Sequence, residues 1–142
     1  MSLESKKIIG RLEFIDLPEF ELLGIVAKID TGAYNGAIHT THVVEKEVDG
    51  KKVIEFSLLD ESHPEFTDDI YQVDNFEKRV VKNSNGDSEL RFVLPTKIIL
   101  GGEEIKVKFS LSNRKKLRYP VLIGRKIIKK HFIVDVSKKF TK

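Results

Sequence analysis

Asp30-Thr31-Gly32-Ala33 follows directly on the apolar run Leu22-Leu23-Gly24-Ile25-Val26-Ala27-Lys28-Ile29, so a strand is expected to deliver a carboxylate into a tight turn. A carboxylate held rigidly in that way can do acid–base work on water. The residues around it suit the task. Gly32 allows a turn that a Cβ would obstruct, and the Thr31 hydroxyl can hydrogen-bond a neighbouring loop. Asp, Thr and Gly are also ordinary turn formers, and an ordinary turn is the competing reading. A second element weighs against it: Val121-Leu122-Ile123-Gly124-Arg125 is another apolar run ending in glycine, far down the chain.

Other chemistries have weaker claims. His39-Thr40-Thr41-His42 places two imidazoles three residues apart, which on a strand sends them to opposite faces. There is no His-Glu-x-x-His, and neither histidine has a glutamate beside it to act as base. A mixed site of Asp30, His39 and His63 is the remaining metal arrangement, and we expect neither metal nor cofactor. Gly101-Gly102 reads as a hairpin turn with no Lys-Ser or Lys-Thr after it, so it is no phosphate cradle. No Gly-x-Ser-x-Gly elbow is present. Cysteine is absent, which removes thiolate nucleophiles and cysteine zinc sites and fits a cytoplasmic setting.

The elements that must hold Asp30 belong to a chain of 142 residues, about one domain. With 40% hydrophobic and 33% charged residues, it is neither a disordered tail nor a membrane protein. No apolar run approaches the roughly 20 residues of a bilayer span, and the first residues lack an apolar export segment. The net charge of +3 is mild, with lysine and arginine gathered late, in Arg114-Lys115-Lys116-Leu117-Arg118 and Arg125 to His131. These read as a solvated loop and an outer helix face, or as a patch for a polyanionic substrate. Few aromatics interleave with them, so neither nucleic acid nor membrane is an expected partner.

Short β-segments divided by turn signals suggest a barrel or sandwich. Strands are expected over 8–15, 22–29, 37–48, 51–59, 70–73, 77–82, 89–94, 97–100, 103–111, 119–123 and 131–136. Asp49-Gly50 and Gly101-Gly102 are hairpin turns, 83–87 is a turn, and 60–68 is a flexible acidic arm. The period changes to helical only over Arg125–Lys130. In Ile105-Lys106-Val107-Lys108-Phe109-Ser110-Leu111 apolar and polar residues alternate, as in a strand with one wet face.

The ordered set of segments resembles the retropepsin-like aspartic protease family. The similarity is greatest to its bacterial and archaeal branch labelled ATP-dependent zinc proteases, which accompanies ATP-grasp glutamate ligases. The residues that carry it are Ile9-Gly10-Arg11, Ala27 to Ala33 with Ala37-Ile38-His39, Leu100-Gly101-Gly102, Asn113-Arg114, Tyr119 to Arg125, and Phe132 to Val136. The resemblance implies an all-β fold: a closed acid-protease barrel of about six strands with one short helix near the C-terminus. Residues 1–7 would be a disordered leader, 8–137 the protease domain and 138–142 a tail. It further implies Asp30 as the catalytic aspartate, Thr31 as the hydroxyl locking two active-site loops, and Gly32 as a backbone donor beside the carboxylate. Leu122, Ile123 and Gly124 would support the loop from behind, and Arg125 would brace the helix and a dimer. Ala33 and Tyr34 would lie at the substrate rim, where Tyr34-Asn35-Gly36 stands in place of the relatives' Arg-Thr-Ser. Arg114 would meet an acidic substrate.

Aspartic proteolysis needs two carboxylates sharing one proton, and this chain supplies one Asp-Thr-Gly. The dyad must then come from two copies of Asp30 in an isologous homodimer. The expected function is an aspartic endopeptidase, acting on a peptide or protein rich in glutamate in a glutamate-ligase pathway. The Asp49-Gly50 hairpin or the 60–69 arm would be its cover. The alternatives are a non-catalytic peptide-binding adaptor on the same fold, and a zinc-dependent peptidase.

Overall fold

The computed structural model describes residues 6–82 and 85–141. Its elements in chain order are β1 (Lys7–Ile9), β2 (Leu12–Leu17), β3 (Leu22–Ile29), β4 (Gly36–His39), β5 (Val43–Val48), β6 (Lys51–Phe56), β7 (Tyr71–Val73) and β8 (Glu77–Lys82). There follow β9 (Ser88–Leu100), β10 (Glu103–Ser112), β11 (Val121–Ile123), the helix α1 (Arg125–His131) and β12 (Phe132–Val134). Strand order β10-β4-β11-β3-β2-β9 returns to β10 through the β9–β10 hairpin, which closes a six-stranded barrel. The ladder is mixed: β10–β4 and β11–β3 run parallel and the other pairs antiparallel. The chain therefore has the expected all-β closed barrel, with one short α-helix among the described residues. Outside it, β8 extends β9, β5-β6-β7 form a separate sheet, and β1 pairs with β12.

Both hairpin signals work as their residues require. Asp49 and Gly50 have φ of 52° and 79°, and Gly101 and Gly102 have 60° and 79°. Two-residue hairpins that follow strand twist need this left-handed pair. On β10 the alternation becomes burial: Ile105, Val107, Phe109 and Leu111 face the core while Lys106 and Lys108 are exposed. Each such buried side chain is worth about 1.5–3 kcal/mol, so a one-residue slip of β10 would be heavily penalised.

Several elements differ from the sequence reading. The expected strand 8–15 is two strands, because Gly10 and Arg11 break it. The Arg11 N–H donates to Lys138 O at 2.8 Å, and the Gly10 N–H to the buried Glu13 carboxylate at 2.7 Å. The expected strand 37–48 divides at Thr40–His42, where the chain leaves the barrel for the outer sheet. The segments 89–94 and 97–100 are one strand of 13 residues. Pro95 sits where β9 has a partner on one side only, between the ends of its pairings with β8 at Val93 and with β2 at Ile99. A strand tolerates a missing N–H there.

Residues 1–5 of the expected leader, 83–84 of the expected turn, and 142 of the expected tail lie outside the described residues. Residues 138–141 run beside β2. Phe140 stacks on Phe14 at 4.5 Å, and Thr141 donates to Glu13 through its N–H at 2.9 Å and its hydroxyl at 2.6 Å.

Candidate active site

Asp30 is the first residue past β3, and its backbone is fixed by a strand it does not belong to. Its N–H donates to the carbonyl of Ile123 on β11 at 2.9 Å. The parallel β3–β11 pairing, Ile29 opposite Ile123, brings the two ends together. The chain then turns so that the Gly32 N–H donates to Asp30 Oδ1 at 2.8 Å. A backbone donor thus orients a half-buried carboxylate.

The loop after Asp30 rests on the start of α1. Arg125 donates from its backbone to Ala33 O at 2.8 Å and from its guanidinium to Thr31 O at 2.9 Å, and the Lys126 N–H donates to Tyr34 O at 3.0 Å. Gly124 makes this contact possible, since a Cβ there would stand 2.6 Å from the carbonyl oxygens of Tyr34 and Asn35. The exposed Tyr34 ring lies under two cations, with the Arg125 guanidinium carbon at 5.8 Å and Lys129 Nζ at 5.7 Å. Leu122 pairs with Ala37, and Ile123 is wholly buried behind the loop. Thr31 is exposed, and among the described residues its hydroxyl makes no hydrogen bond.

Arg114 approaches from the loop after β10. Burial pushes its guanidinium down from its ordinary value, and the Asp30 charge opposes that push. Its Nε–H donates to Tyr119 O at 3.1 Å, and its backbone N–H to His39 Nδ1 at 2.8 Å. A groove of about 1200 Å³ begins here, with Asn35, Ala37, Arg114 and Leu122 in its wall, and continues along β9 and β10. Its lining does not include Asp30, and neither segment expected as a cover borders it. The outer wall comes instead from the β8–β9 hairpin, through Arg79, Glu89 and Arg91.

Sequence reasoning missed Asp60. It was expected in a flexible arm, yet it is buried and accepts a hydrogen bond from His39 Nε2 at 2.7 Å. The sign was there in retrospect: His39 and Asp60 each end an apolar run, Ala37-Ile38 and Leu58-Leu59. His39 is fully buried, and since Nδ1 accepts from Arg114, its proton is assigned to Nε2. The Ser62 hydroxyl does most to hold Asp60 well below the usual carboxylate range; burial opposes it, and the Ser62 amide, His39 and His63 add to it.

These contacts bear on zinc. Both ring nitrogens of His39 are engaged within the protein, and His42 is exposed. Among the described residues no three His, Asp or Glu side chains converge as ligands. The donor set does not fit the metal named in the branch label.

Asp60 also makes a pH prediction. An unfolded aspartate takes up its proton near pH 4, whereas folded Asp60 stays ionised to lower pH. Below about pH 4 the unfolded state then binds more protons, and this contribution to stability is lost as the pH falls further. Asp60→Asn should cost about 2 kcal/mol at neutral pH, and its deficit should shrink in acid. Thermal melts of both proteins between about pH 3 and pH 7 check this; a constant gap would refute it.

A family model described as RimB-like, retropepsin-like aspartic endopeptidase RimB, matches residues 8–142. A Desulfotalea psychrophila protein named probable alpha-L-glutamate ligase is 33% identical over 131 residues, which is 92% of this chain and 28% of that protein. A Shewanella pealeana protein of the same name is 31% identical over 141 residues, 96% of this chain and 30% of that protein. The chain thus spans less than a third of the length of these curated relatives. A crystal structure of a Legionella pneumophila protein of unknown function superposes with a TM-score of 0.71 at 29% identity, covering 96% of this chain and 98% of the other. Among the described residues no helix is long and apolar enough to cross a membrane.

Proposed function

Since the chain belongs to the RimB-like family of retropepsin-like aspartic endopeptidases, we propose that it hydrolyses peptide bonds with a dyad of Asp30 carboxylates from two copies. The observation that carries this reading is the setting of Asp30: a strand-end carboxylate, oriented by the Gly32 N–H and backed by Ile123. The exposed Thr31 hydroxyl is available to a second copy of the chain. Ile8 and Ile133, which are cross-strand partners and both exposed, offer apolar surface for self-association.

In the dimer one carboxylate is ionised and the other protonated. The ionised one takes a proton from water as its oxygen attacks the scissile carbonyl carbon, and the protonated one donates to the carbonyl oxygen. The carboxyl that took the water proton gives it to the amide nitrogen, the other carboxylate takes a proton from a gem-diol hydroxyl, the C–N bond breaks to give the acid and the amine, and the dyad keeps one proton. No covalent enzyme intermediate forms.

Charge supports an acidic, glutamate-bearing peptide as substrate. The Asp30 charge is felt at Arg114, and the groove that Arg114 lines carries Arg91, Lys106, Lys126 and Lys130. In the relatives named probable alpha-L-glutamate ligase, a segment like this chain is part of a longer polypeptide. A protease beside a glutamate ligase has added glutamates within reach as its substrate.

The test is incubation with a peptide carrying a glutamate tail, with and without a strong chelator, read by mass spectrometry. Cleavage in both conditions is the expected result. Loss on chelation with recovery by zinc alone would favour a metallopeptidase, and binding without cleavage would favour an adaptor.

A further inference from the structure

His39 and Asp60 take no part in the water chemistry above, although burying such a pair is costly. Desolvating a carboxylate and an imidazole is repaid only by good geometry, and a packed apolar pair would commonly stabilise as well. What the pair supplies is direction. Asp60 accepts from Nε2 and thereby fixes the tautomer in which His39 Nδ1 is an acceptor. That acceptor receives the Arg114 N–H at 2.8 Å.

His39 is itself held on two sides, its N–H donating to Pro120 O at 2.8 Å and its carbonyl accepting from Leu59 at 2.9 Å. The imidazole thus joins β4, the segment after β6 and the loop after β10 at one point. Arg114 is fastened twice, by its backbone to His39 and by Nε to Tyr119 O. Its terminal guanidinium nitrogens have no hydrogen-bond partner among the described residues. They stay free for a ligand, on a side chain whose stem cannot wander.

We propose that His39 and Asp60 are positioning residues that hold Arg114 in the groove wall to receive an acidic group of the bound peptide. The nature of the occupant rests on the endopeptidase reading; the clamp on Arg114 does not.

Two amides separate the two bonds of His39. Gln can place its NH₂ near Nε2 and keep Asp60 satisfied, but it offers Arg114 no acceptor. Asn can place its oxygen near Nδ1 and keep the Arg114 bond. Binding of a fluorescent oligoglutamate peptide, and of a neutral Gly-Ser peptide of equal length, is measured by anisotropy in an Asp30→Asn background, so turnover does not intrude and failed catalysis leaves the test intact.

His39→Gln and Arg114→Gln should each weaken oligoglutamate binding about tenfold, with the neutral peptide unaffected, and the double variant should be no weaker than Arg114→Gln alone. His39→Asn should bind within about threefold of its parent. Additive losses, equal losses in His39→Asn and His39→Gln, or undiminished binding by Arg114→Gln would each overturn the proposal. Should His39→Gln fail to fold, amide exchange in the unsubstituted protein decides. Protection of the Arg114 amide at least about tenfold beyond that of Lys116 supports the clamp, and equal rates refute it.

Discussion

Asp30→Asn is expected to leave a folded protein whose kcat/KM for peptide cleavage has fallen by about a thousandfold or more, at least 4 kcal/mol of transition-state stabilisation. The substitution is nearly isosteric. Its amide oxygen can still accept the Gly32 N–H, and the backbone bond from residue 30 to Ile123 O does not involve the side chain. Stability should therefore change by less than about 1 kcal/mol, as for other substitutions away from the core. The chemistry has no such substitute, because an amide neither takes a proton from water nor gives one to a carbonyl. Thermal melts and cleavage rates on the same sample separate the two quantities. A variant that cleaves within tenfold of the unsubstituted protein would return Asp-Thr-Gly to the status of a turn.

The parts of this fold that were legible in the sequence are those with local causes. Asp49-Gly50 and Gly101-Gly102 announce hairpins because few residues accept a positive φ twice in succession. β10 is visible because its side chains alternate, and α1 because Arg125–Lys130 breaks that alternation. The strand-to-turn setting of Asp30 is legible from residue type and neighbours, as is the Ile123-Gly124 element whose closeness to the loop the glycine permits.

What was not legible depends on contacts distant in sequence. Nothing near Ile8 says that it pairs with Ile133, and nothing near Arg11 says that its N–H bonds Lys138, 127 residues on. Pro95 looked like a strand end because its neighbours cannot reveal that β9 is unpaired on one side there. Asp60 opens a stretch rich in acids and proline, which reads as solvated. It is buried because His39, 21 residues earlier, needs a carboxylate. The expected arm is anchored at its root and does not border the groove.

Half a dyad cannot act on water and carbonyl together, so the proposed mechanism requires two copies to pair. Specific activity should rise in proportion to protein concentration well below the dimer dissociation constant and level off well above it. Mixing with a fourfold excess of Asp30→Asn should lower activity per unsubstituted chain to about one-fifth, since random pairing of an isologous dimer leaves that share in active pairs. Dilution into buffer without the variant controls for dissociation. The pH profile of cleavage should be bell-shaped, because the competent dyad holds one proton and both its loss and the gain of a second remove activity. Sedimentation of the same samples ties activity to the dimer. A sedimenting monomer that cleaves with concentration-independent specific activity, undisturbed by the variant, would mean that a single Asp30 suffices, and the two-copy mechanism would be wrong.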